Sequence, residues 1–341
     1  MPHCPRRPAH LPLLLCLAPL LLPACSHAPA QAAPAPAAST VRPFTFAVSF
    51  WPNVHEALLF DAQSPTESPA VHAPEWGAAV AYYRSHLRPG PLAALADPRW
   101  AEVRRRLASL ADAAPLEGAG VDPELAPLLA RAAEAYRAQR WPTVRQEGQA
   151  WVSRMRPQVE AQAAALVPEL ERVLGVPWPT TPIGVQVCER AGRFGAYTTV
   201  RESLVTLSYE TRGDAQALET VFHEGAHVRV FPLRHALEAE LQRQGKEAPP
   251  MLWHALLFFT TDELTRRHLP QGHVPHAEAQ GLYAQNPAWT AFHGAMRQEW
   301  RPYLEGRVDR ATAMQRLVAA YTPPPGTEAS APRPSAAIPG P

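Results

Sequence analysis

The chain has 341 residues, a formal charge of +1 and 46% apolar residues. Its near-neutral charge excludes the strongly basic surface of a general nucleic-acid binder, and four cysteines in this length exclude a disulfide-built scaffold. About 280 residues, 44–321, form one ordered unit long enough for a sizeable hydrophobic core.

Residues 1–24 have the build of a targeting segment: Arg6 and Arg7, then a leucine-rich stretch at 11–22 that is too short to span a membrane. Leu22-Pro23-Ala24-Cys25 resembles the bacterial lipobox, which would make Cys25 the acylated first residue of the mature chain. Ser26 behind it resembles lipoproteins sorted to an outer membrane, facing the periplasm. Pro23 departs from the small residue usual at its position, so ordinary cleavage and secretion stays as the alternative. Cys4 and Cys16 leave with the signal and only Cys188 stays in the folded part, so neither an intramolecular disulfide nor a cysteine metal cluster is expected. Residues 25–43 are an Ala/Pro tether, and 322–341, with seven prolines in twenty residues, form a disordered tail.

Within 44–321, residues 44–180 are expected to be mainly helical and 181–321 to carry the chemistry. Phe44, Phe46, Val48 and Phe50 alternate with Thr45, Ala47 and Ser49, the pattern of a half-buried strand. His55-Glu56 follows in a stretch expected to be a turn. Helices are expected at 75–87, 98–113, 123–140 and 143–174, with Trp76, Tyr83, Trp100, Tyr136 and Trp151 as packing anchors. Alternation then predicts strands at 183–187, 196–200 and 203–208, with Gly192 and Gly195 bracketing a turn. The expected class is α+β, predominantly helical, with a small sheet before the helix at 215–230.

That helix holds His223-Glu224-Gly225-Ala226-His227, an HExxH motif. Chance would place this pattern in such a chain at most roughly one time in twenty. Two histidines four apart project from one helix face and can share a metal ion, most often Zn²⁺. Glu224, turned about 100° from His223, reaches a water on the metal rather than the metal itself and can take its proton. The bland reading, surface histidines on an amphipathic helix, conflicts with the apolar Leu218, Val221, Phe222, Ala226 and Val228 around the motif. Two histidines and a glutamate buried there without partners would cost several kcal/mol.

A catalytic zinc usually has three protein ligands and one open position. The metzincin spacing is absent, because Val230 and Leu233 stand where glycine and a third histidine would be. The chain instead resembles the gluzincin group of zinc metallopeptidases, through HExxH and a glutamate, Glu263, 36 residues beyond His227. It is also similar to a little-described set of bacterial envelope proteins with Gly-Ala-Tyr-Thr-Thr (here 195–199) and Trp-His-Ala-Leu-Leu-Phe (here 253–258). The resemblance implies a zincin-like fold and a zinc-dependent peptidase acting on a peptide or protein. It implies His223, His227 and Glu263 as ligands and Glu224 as general base. Tyr283 or His293 would donate to the oxyanion. Residue patterning also supports Glu263, which ends the apolar stripe Leu252, Leu256, Phe259 of a helix at 251–268, where a carboxylate needs a positive partner. Asp262 and His254 stay as rivals for that place. Many gluzincins have an acidic residue four beyond the metal glutamate to orient a ligand histidine; position 267 is Arg, and Glu219 is the expected substitute. A zinc hydrolase of a non-peptide amide and a non-catalytic zinc-binding lipoprotein acting as a binding or assembly factor are the alternatives.

Overall fold

The computed structural model describes residues 42–64, 69–88, 93–192, 194–210 and 213–324. The targeting segment, Cys25, residues 25–41 of the tether and residues 325–341 of the tail lie outside the described residues. The class is α+β: 63% of the described residues are helical, and they hold one small mixed sheet.

The long helices are α1 (Phe50–Gln63), α2 (Pro74–His86), α3 (Pro98–Ala108), α4 (Leu125–Gln139) and α5 (Trp141–Leu174), followed by α6 (Asp214–His227), α7 (Phe231–Arg243), α8 (Leu252–Arg266), α9 (Pro287–Ala295) and α10 (Arg310–Ala320). The strands are β1 (Phe44–Ala47), β2 (Ile183–Cys188), β3 (Ala196–Thr199) and β4 (Leu204–Ser208), in the spatial order β1-β2-β4-β3. The first two pairings are parallel, and β3 runs antiparallel to β4 with Thr198 opposite Val205. Thus β3 lies at one edge of the sheet, and the polypeptide leaves β4 directly into α6.

Two hydrophobic cores form. One gathers Phe50, Leu58, Trp76, Tyr83, Trp100 and Tyr136 between α1, α2, α3 and α4. The other packs Phe44, Ile183, Val185 and Val205 of the sheet against α5, α6 and α8. Helix α5 joins them, its Trp141 and Val144 in the first and Trp151 through Leu174 in the second. The five aromatic anchors named above are all buried.

One expectation fails at 48–56. The strand stops at Ala47, and Phe50 opens α1 rather than closing β1. Pro52 sits in the first helical turn, where its missing N–H is harmless, and the backbone N–H of Phe50 is capped at 2.7 Å by the carboxylate of Asp112, 62 residues away. Nearly every side chain of α1 is buried, so no polar face marks its helical period. His55 and Glu56 therefore lie in a helix and not in a turn. His55 Nδ1 meets the Tyr83 hydroxyl at 2.7 Å, and burial, with Arg104 beside it, lowers its pKa to about 3. Asn53 ties α1 to the end of β2, giving Nδ2–H to Val187 O at 3.2 Å and accepting Glu189 N–H at 2.9 Å.

Candidate metal centre

Helix α6 carries the HExxH motif, and the residue after its glutamate is glycine for a packing reason. A Cβ at Gly225 would lie 2.7 Å from Phe44 Cε1 and 3.2 Å from Trp178 Cη2. The missing side chain lets α6 settle on those rings, and Phe44 in turn meets Phe222 edge-on at 5.5 Å. Packed this way, α6 directs His223 and His227 at α8, one turn apart.

His254, in the first turn of α8, meets them. Its Nε2 lies 3.3 Å from His223 Nε2, which is 3.2 Å from His227 Nε2. The three histidines form the one group of potential metal ligands found among the described residues. A tetrahedral ion bonded to imidazole nitrogens at about 2.0–2.1 Å, as zinc is, holds those nitrogens about 3.3–3.4 Å apart. The two close spacings therefore fit such an ion.

Protonation suits the same role. Thr261 Oγ1 can give its proton to Leu257 O at 3.0 Å, leaving a lone pair for His223 Nδ1 at 3.1 Å. His223 then carries its hydrogen on Nδ1 and presents a bare Nε2. Burial lowers the pKa of His227 to about 4, and burial together with His227 takes His254 well below the usual histidine range. Neutral imidazoles are the metal-binding form. Aromatic walls fix the rings: Phe258 stacks on His223 at 4.0 Å, Trp253 stands edge-on to His227 at 5.8 Å, and Trp289 edge-on to His254 at 5.9 Å.

Glu263, expected as the third ligand, is placed elsewhere. Its Oε1 takes Arg301 Nη2 at 2.7 Å, and its Oε2 takes Arg301 Nε at 3.1 Å and Arg266 Nη2 at 2.5 Å. The buried carboxylate does need a positive partner, but two arginines supply it. The face of α8 turned to the motif is instead the stripe His254, Phe258, Thr261, at i, i+4 and i+7. Asp262 stays out of the histidine group too. Burial and the neighbouring Glu219 push its pKa well up from the usual carboxylate range. Glu219, expected to orient a ligand histidine, accepts from His273 Nε2 and from the His276 backbone N–H, both at 2.7 Å. The orienting group on His223 is Thr261.

Tyr283 and His293 lie face to face at 4.1 Å. Trp289 neighbours both Tyr283 and His254, so this pair flanks the wall of the histidine centre. Burial, with Asp262 near, holds the Tyr283 hydroxyl protonated well above its ordinary range. Glu224 stands beside β3, its Oε2 2.7 Å from Thr198 Oγ1. Where β3 begins, Gly192, Gly195, Phe194, Arg190, Gln216 and His276 border a hollow of about 200 Å³. In sequence, His254 was visible only as one of three rivals, nothing marked Thr261, and Thr198 stood only as part of the Gly-Ala-Tyr-Thr-Thr stretch, with no role. Compared with known protein families, curated proteins and solved structures, the chain matches none.

Proposed function

We propose that the chain is a zinc-dependent peptidase of zincin-like fold, held in the bacterial cell envelope by lipid on Cys25. The observation that supports this reading is the convergence of the His223, His227 and His254 nitrogens within 4.8 Å of one another, with His223 at 3.2 and 3.3 Å from the other two and Glu224 following it on α6. Zinc bound there would supply Lewis acidity, polarising the scissile carbonyl and making a water acidic near neutral pH. Glu224 takes the proton of the attacking water and later delivers it to the leaving amine. Tyr283, kept protonated, and His293 are the candidate donors to the negative oxygen. The edge strand β3 adjoins α6, and its main-chain groups suit an extended peptide. That feature favours a peptide over another amide.

The test begins with protein purified without chelator, which should carry about one zinc per chain by mass spectrometry. It should cleave fluorescein-labelled casein, lose that activity with 1,10-phenanthroline and regain it with added zinc. Undiminished cleavage after complete metal removal would end the proposal. Intact casein with zinc bound would turn it toward a zinc-binding factor or a hydrolase of another amide.

Anchoring is tested separately. Among the described residues no helix is long and apolar enough to cross a membrane, so attachment in this reading rests on lipid. Cys25→Ser should move the protein from the detergent to the aqueous phase of Triton X-114, because the multiple acyl chains of a lipoprotein make binding stable. A mature N-terminus beginning beyond Cys25 would contradict it.

A further inference from the structure

Strand β3 is held on both of its faces. On one, the Tyr197 hydroxyl donates to Glu56 Oε1 at 2.5 Å, and Glu56 Oε2 accepts the Gly192 backbone N–H at 3.1 Å. Glu56 belongs to α1 and is almost completely buried, so the strand and the turn before it are tied to the helical core. The next residue, Thr198, points to the opposite face of the strand. Its Oγ1 lies 2.7 Å from Glu224 Oε2 and 2.8 Å from Glu224 O. At the end of α6 the Val228 N–H turns to Gly225 O at 3.2 Å, so the threonine hydroxyl also serves a carbonyl of the last helical turn.

We infer that Thr198 is a positioning residue for Glu224: its hydroxyl, held in place by the Tyr197–Glu56 anchor, fixes the carboxylate of the residue that follows His223 on α6. What that carboxylate does as a base rests on the peptidase reading; where it is held does not. A glutamate side chain has several rotatable bonds, and a base must stay within about 0.5 Å of its working position. A misplacement of about 1 Å costs roughly 100-fold in rate. The hydroxyl has one proton and two acceptors. While Glu224 is charged, the charge-assisted bond to its carboxylate is the stronger of the two. Once Glu224 carries the proton of the water, the hydroxyl can turn its own proton to Glu224 O and accept from the carboxyl. A serine could serve both states, and a valine neither.

The experiment compares zinc-loaded wild type, Thr198→Val and Thr198→Ser. On fluorescein-casein, Thr198→Val should lose about 10- to 100-fold in kcat, with KM within about twofold and zinc content unchanged. Thr198→Ser should recover to within about threefold of wild type. Equal losses in the two variants, or a loss carried by KM, would overturn the inference. Crystal structures of the three zinc-loaded proteins decide the position independently of activity. Glu224 should keep one carboxylate position in wild type and Thr198→Ser and spread over several in Thr198→Val; one position in all three would overturn it. A wild type with zinc bound and Glu224 ordered that leaves casein intact would overturn the peptidase reading alone.

Discussion

Glu224→Gln should keep about one zinc per chain and lose about 10²- to 10⁴-fold in hydrolysis. Glutamine has the shape of glutamate, and its side-chain oxygen can still accept from Thr198 Oγ1, now 2.7 Å from Glu224 Oε2. It has no lone pair basic enough to take a proton from water, so the loss reports proton transfer and not packing. The three imidazoles are untouched, and metal analysis should therefore show no change. Casein turnover by Glu224→Gln equal to wild type would remove Glu224 as the base. Loss of zinc from it would mean that the carboxylate supports the metal site instead.

The second large effect separates His254 from Glu263. His254→Ala should weaken zinc binding by at least roughly 100-fold, more than the loss of an outer hydrogen-bond partner of a ligand costs. Glu263→Ala should keep its zinc but melt lower. Removing that carboxylate leaves Arg301 and Arg266 without their shared partner, a cost of roughly 2–3 kcal/mol, modest because both arginines reach solvent. For a unit of this size that is about 5 °C in Tm. Chelator provides the cross-check, because the ion would tie α6 to α8 and stabilise only the form that binds it. Wild type and Glu263→Ala should melt lower when chelated, and His254→Ala should respond little. Zinc retained by His254→Ala and lost by Glu263→Ala would restore the glutamate as third ligand.

His223, Glu224 and His227 were legible in sequence because their relation is local: one helix with 3.6 residues per turn sets it. The same holds for β2 and β4, short β-branched and apolar runs. The third member of the centre was decided by tertiary structure. A stripe on α8 shows that Glu263 needs a positive charge but not which one, and Arg301 arrives from 38 residues away. His254 faces α6 because of how the two helices pack, and α6 itself is seated by Phe44 and Trp178 filling the space that Gly225 leaves open. Helix α1 differs from its expectation for a related reason: buried on nearly all sides, it carries no polar period, and its His55, Glu56 and Asn53 make hydrogen bonds with Tyr83, Tyr197 and β2, which are distant in sequence. Spacing along one element determines which side chains share a face. Which element that face meets is set by long-range packing and charge pairing, and these leave no mark in local periodicity.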